Sequence, residues 1–259
     1  MEADPDAALS LLADLHGATD EALRALAQRL AGRIMVDLAR QGASARRGVG
    51  RLRRRPVSER GGDIDLDASL DGIVAARTGR TPPDAGSIVV ADWERPDTAI
   101  CLLVDRSGSM HGERLAAAAL AAAAVVLRAP QDCSVVAFAE DAIVLRPQGG
   151  DRGAQDVVTD LLRLRGFGVT DVGLALRTAA AQLARSTAGR RLTVLLSDCR
   201  ATTGGDFVDD AAGLDELVVL APEGDSDDAE RFADALGARC ATVGGPTSVV
   251  DALTQVLAP

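Results

Sequence analysis

From residue 99 onward, short apolar runs alternate with longer amphipathic ones. Ala99 to Val104, Ser134 to Phe138, Leu192 to Leu196, Leu217 to Leu220 and Ala241 to Val243 are near-continuous apolar segments of strand length. Between and after them, apolar residues recur at three- and four-residue steps in Gly112 to Arg128, Ala154 to Arg165, Val172 to Ser186, Ser226 to Leu236 and Ser248 to Leu257. Strands apolar on both faces must be covered on both sides, so the alternation predicts an α/β fold with a mostly parallel central sheet and helices on both faces. Ala142 to Leu145 follows Phe138 after only Ala139-Glu140-Asp141, which predicts a hairpin strand at the sheet edge.

The first part of the chain is patterned differently. Leu9, Leu12 and Leu15, then Leu23, Leu26, Leu30, Ile34 and Leu38, keep helical spacing and predict a helical leader over 1–42. Gly42 to Gly62 breaks that period with five glycines, Pro56 and an arginine cluster, and reads as a linker or arm. A short helix over Asp63 to Thr78 carries Leu66, Leu70, Ile73 and Val74 and is stopped by Pro82-Pro83. Ser87 to Trp93 reads as a strand, and the turn Arg95-Pro96-Asp97 predicts that it folds back on Ala99 to Val104. The predicted division is therefore a leader over 1–42, a basic linker with a short helix over 43–86, and an α/β domain over 87–259.

Composition narrows the chemistry. Every one of the 28 basic residues is arginine. Without lysine the chain has no Walker A loop and no Schiff-base chemistry. A net charge of −10, four Phe, one Trp and no Tyr argue against nucleic-acid binding by charge or by base stacking. Against that background, eight arginines and one carboxylate, Glu59, lie between Arg40 and Arg60. The four cysteines lack paired zinc spacing and sit in or beside apolar runs, as reduced, buried thiols of a cytoplasmic protein do. No segment reads as an export signal or a transmembrane span.

The densest chemistry is Asp105-Arg106-Ser107-Gly108-Ser109, directly after the strand ending at Val104. It sets three oxygen-bearing side chains at alternate positions, a donor set suited to a hard divalent cation. The alternative use of Asp105 and Ser107 is to cap the helix that follows. Two further segments reach the same rim: Gly168-Val169-Thr170-Asp171, just before the helix starting near Val172, and Leu195-Leu196-Ser197-Asp198, which ends another core strand. In open α/β sheets ligands collect at this rim.

These residues resemble the metal-ion-dependent adhesion site of von Willebrand factor A domains, with the pattern Asp-x-Ser-x-Ser, then Thr, then Asp. The match is Asp105, Ser107 and Ser109, with Thr170 65 residues after Asp105 and Asp198 28 residues after Thr170. The resemblance covers about 88–257 and implies a Rossmann-like fold. It also implies a Mg²⁺ site, or Mn²⁺, in which Ser107 and Ser109 ligate directly, Asp105 and Asp198 bring charge, and a partner's carboxylate completes the shell. Arg106 and Arg200 flank the set and either hold a partner carboxylate, remain solvated, or pair with Asp171, the last being favoured. His111 beside the loop reads as structural or exposed.

Gly62-Asp63-Ile64-Asp65-Leu66-Asp67, the arginine-rich arm and Leu196-Ser197-Asp198-Cys199-Arg200-Ala201-Thr202 are similar to bacterial proteins that accompany MoxR-type AAA+ ATPases. That likeness implies a cytoplasmic, non-catalytic adaptor or co-chaperone, working with the ATPase on a client or its metal centre. The alternatives are an integrin-like subunit of a metal chelatase and a Mg²⁺-dependent hydrolase. The hydrolase lacks a base: the chain has only His16 and His111, and Asp206, Asp209, Asp210 and Asp215 read as a solvated acidic loop.

Overall fold

The computed structural model describes residues 5–14, 36, 39, 51–56, 63–80, 82, 84, 86–94, 98–107, 112–164, 168–200 and 207–256. Contacts divide the chain into two compact units, Met1–Arg46 with Asp97–Pro259, and Arg47–Pro96.

In the larger unit, strands β4 (Thr98–Asp105), β5 (Cys133–Phe138), β6 (Ala142–Arg146), β7 (Arg190–Leu196), β8 (Glu216–Pro222) and β9 (Arg239–Val243) form one sheet in the order β6-β5-β4-β7-β8-β9. All neighbours are parallel except the predicted hairpin of β5 and β6. The chain leaves β4 for β5 on one side and later returns to β7 on the other. The carboxyl end of β4 is thus the point at which strand order reverses, where a crevice opens in such sheets.

Alternate residues of the strands enter two separate cores. Ile100, Leu102 and Val104 pack with helices α3 (Glu113–Arg128), α4 (Ala154–Arg163) and α8 (Pro246–Val256). Ala99, Cys101 and Leu103 pack with α5 (Val172–Leu183) and α7 (Asp227–Leu236), joined by Phe207 and Ala211 of the short α6 (Phe207–Ala211). Helix α3 is buried along almost its whole length, from Leu115 to Val126, and its alanines let the helix axis lie close to the sheet. Leu9 of α1 (Pro5–Asp14), Val36 and Ala39 complete the first core. The expected helical leader therefore contributes buried side chains to the α/β domain. No helix among the described residues is long and apolar enough to cross a membrane.

The smaller unit corrects two expectations. The arginine-rich stretch expected to be a linker contains β1 (Arg51–Pro56). Strand β3 (Val89–Glu94) pairs antiparallel with β1 and with β2 (Asp63–Ile64), so the expected hairpin of 87–93 with 99–104 does not form. Between them α2 (Leu66–Gly79) starts at Asp65, whose carboxylate accepts the Ala68 N–H at 3.0 Å. This helix buries small residues, Ser69 and Ala76, and leaves Leu66, Leu70 and Val74 exposed. Gly72 is needed for that approach, because a Cβ there would lie 2.6 Å from the Ser87 Oγ.

Candidate functional site

Asp105 ends β4 in register with Phe138 of β5, one step beyond the pairing of Val104 with Leu196 of β7. The strand geometry alone sets it between two neighbours at the carboxyl rim. Its side chain is 2% exposed. The Ser107 N–H donates to Asp105 Oδ1 at 2.8 Å, and the Ser197 hydroxyl donates to Oδ2 at 2.7 Å. Burial pushes the Asp105 pKa up, the bonds from Ser197 and Ser107 oppose that, and nearby Asp198 adds to the rise. A buried carboxylate served by neutral donors and facing a second carboxylate gains from a cation beside it.

Asp198 follows β7 by two residues and is 8% exposed. Its Oδ1 accepts the Arg200 N–H at 3.1 Å and its Oδ2 accepts Arg114 Nη1 at 3.2 Å. The backbone between these bonds is unusual: Cys199 has φ of +56°, a left-handed conformation that few side chains other than glycine adopt. Its N–H donates to Ser197 Oγ at 2.9 Å. One hydroxyl thus ties the β7 turn to Asp105 while the same turn fixes Asp198.

Thr170 is 3% exposed. It reaches the same rim because the Asp171 N–H donates to the carbonyl of Ala139, just past β5, at 2.9 Å. Asp171 then caps α5, accepting the Leu174 N–H at 2.8 Å. Of the five predicted ligands, Asp105 and Asp198 are brought together through Ser197, with Ser107 bound to Asp105, and Thr170 lies at the adjoining strand end. Ser109 and His111 lie outside the described residues.

Two neighbours differ from expectation. Arg106 is buried and pairs with Asp141 of the β5–β6 turn, not with Asp171. Arg200 pairs with Asp225 at 2.5 Å and with Asp228 at 3.4 Å. Sequence reasoning gave no role to Ser197, although its place between a core strand and a proposed ligand was a usable signal. It also passed over Arg114, the second residue of α3, which lies on the loop's own helix but contacts Asp198 84 residues away.

A cavity of about 160 Å³ opens beside these groups, between the first turns of α3 and the ends of β7, β8 and β9, with Asp105, Asp198 and Arg114 in its wall. Among the described residues no group of three or more His, Cys, Asp and Glu is placed to hold a metal. Any cation here would depend on hydroxyls together with Asp105 and Asp198. That all-oxygen set fits Mg²⁺ or Mn²⁺ and does not suit soft metals. The thiols point the same way: burial raises the pKa of Cys101 to about 12 and of Cys133 to about 11, and raises those of buried Cys199 and half-buried Cys240 also, so none is a ready thiolate ligand or nucleophile.

Residues 100–201 match a family profile described as von Willebrand factor type A domain. A solved structure titled von Willebrand factor type A from Catenulispora acidiphila superposes with a TM-score of 0.51 at 19% identity, over 65% of this chain and 43% of that one. A mutant of the PilB minor pilin from Streptococcus sanguinis superposes with a TM-score of 0.50 at 13% identity, over 66% of this chain and 64% of that one. This chain therefore spans less than half of the Catenulispora structure. No curated protein matches it in sequence.

Proposed function

We infer, from a chain whose α/β unit has the von Willebrand factor type A fold, that it is a non-catalytic protein-interaction module gripping a partner through a divalent cation. The residues that would hold the ion are Asp105, Ser107, Ser109, Thr170 and Asp198. The observation that carries the reading is Asp105: a carboxylate 2% exposed, held by two neutral donors, at the strand-order reversal of the sheet. A helix cap needs no such burial and would accept from the N–H of the following helix, as Asp171 does.

When bound, Mg²⁺ or Mn²⁺ supplies an open coordination position that a partner's carboxylate can take from water. The protein's residues do the rest. Ser197 holds the Asp105 carboxylate in place and the Cys199 turn aims Asp198. Two carboxylates nearly neutralise a divalent charge without quenching its appetite for a third. The preferred partner is an AAA+ ATPase of MoxR type or its client, in the cytoplasm, with the chain as adaptor. The short likenesses around Asp63 to Asp67 and Leu196 to Thr202 support this, together with the four free thiols and the lack of a lysine-bearing nucleotide loop.

Affinity purification from the native cell in Mg²⁺ and again in EDTA tests it. Recovery of an AAA+ ATPase in Mg²⁺, lost in EDTA and at least ~10-fold reduced by Asp105→Ala and by Thr170→Ala, is the expected result. Equal recovery in all four conditions would sink the metal grip. Turnover of phosphate esters or peptides abolished by Asp105→Ala would instead establish the hydrolase.

A further inference from the structure

Arg114 occupies an unusual position in the site. Its side chain is 31% exposed, and the guanidinium bridges two carboxylates, Asp198 at 3.2 Å through Nη1 and Asp225 at 2.8 Å through Nη2. Asp225 is held in turn by Arg200, which also reaches Asp228. The result is a chain of alternating charges, Asp198, Arg114, Asp225, Arg200 and Asp228, with its inner end on one of the two acidic groups proposed to receive the cation.

We propose that Arg114 is a tethered cation that competes with the divalent ion for Asp198, so that metal capture requires Arg114 to swing away onto Asp225. This rests on the metal reading above. Both oxygens of Asp198 are engaged as it stands: Oδ1 takes the Arg200 N–H and Oδ2 takes Arg114. With the guanidinium in place, one of the two carboxylate charges is already partly offset. A divalent ion entering beside Asp105 would meet a positive group at close range, in a cleft where screening is weaker than in water. The contact surrendered is the longer of the two, and the shorter one to Asp225 remains as the anchor. Arg114 also lines the cavity beside the site, giving the side chain room to move. The arrangement sets the affinity for metal below what the bare ligand set would give. Occupancy then responds to cation concentration, and to any partner carboxylate that binds only the loaded form.

The competing role for Arg114 is a brace that aims Asp198, and the two roles predict opposite signs. Titration of the purified full chain with MgCl₂ by calorimetry, and with MnCl₂ by electron paramagnetic resonance, separates them. Competition predicts that Arg114→Gln binds either ion ~5-fold more tightly, the scale of a partly exposed ion pair. It also predicts that Asp225→Asn, which removes the anchor and leaves Arg114 to Asp198, binds more weakly by a few-fold. Unchanged or weaker binding in Arg114→Gln overturns the proposal, as does unchanged or tighter binding in Asp225→Asn, while wild-type binding lost in Asp105→Ala leaves the metal reading standing. If neither the wild type nor Arg114→Gln takes up an ion while both remain folded by circular dichroism, the metal reading itself falls and this one with it.

Discussion

The two rims of the main sheet use the same residue types to opposite ends. At the amino rim Arg146 is 2% exposed and its guanidinium is spent on the carbonyls of Cys133, Pro130 and Gly150, with further contact to the Cys133 sulfur. Nearby, Asp132 accepts from Gln148 and Ser186, and Glu216 is gripped by Arg190 through two bonds of 2.8 and 2.9 Å and by Arg239. Each charge there meets partners from adjoining strands and turns. At the carboxyl rim two carboxylates face each other, Asp105 has neutral donors, and the Arg114 that reaches Asp198 is shared with another acid. Charges paired in this way hold a structure together, although Arg146 Nε and Gln148 Oε1 of the same rim are buried without a hydrogen bond. Polar groups left short of charge balance are available to a ligand.

The largest test of this contrast is Arg146→Met, which removes a buried guanidinium and its bonds to the carbonyls of Cys133, Pro130 and Gly150 and should cost roughly 3 kcal/mol of unfolding free energy in urea titrations. A loss as small as that of a surface substitution would show that the amino rim is not the structural one. Next comes Glu216→Gln. Hydrogen bonds from Arg190 hold the Glu216 carboxyl below its ordinary value of 4.5, with the Arg190 and Arg239 charges adding to the effect. A depressed carboxylate stabilises the fold above its unfolded pKa and loses that contribution as pH falls through its folded pKa. The substitution should cost up to about 1 kcal/mol at pH 7 and flatten the decline in melting temperature below pH 4.5. An unchanged acid limb would contradict the assignment. Smallest is Ser197→Ala at the carboxyl rim, where a stability change within about 1 kcal/mol should accompany weaker Mg²⁺ binding. Full ion affinity in that variant would remove Ser197 from the site.

The α/β unit was readable because burial on both faces writes itself as uninterrupted apolar runs. Ala99 to Val104 appears as Thr98–Asp105, Leu192 to Leu196 as Arg190–Leu196, and Gly112 to Arg128 as Glu113–Arg128. Strand β1 was hidden by four arginines and a proline in six residues, which erase any apolar alternation. Pairing of β3 with β1 instead of β4 is a non-local choice that the local turn Arg95-Pro96-Asp97 could not announce. The candidate ligands were visible as oxygen donors at strand ends and, for Thr170, just before a helix. Their supports were less so, since Arg114 and Asp225 are 111 residues apart and only the return of the chain to the same rim joins them.

The contact between Asp6 and Thr247 bears on how such a chain is assembled. The Thr247 N–H and hydroxyl donate to the Asp6 carboxylate at 3.0 and 3.1 Å across a separation of 241 residues, capping α8 from α1. The clasp joins two helices from distant parts of the chain, so it forms only once both α1 and α8 have been made. A chain cut short before α8 would lose both this clasp and the Val249, Val250 and Leu253 side chains of the first core, leaving apolar surface of α3 uncovered.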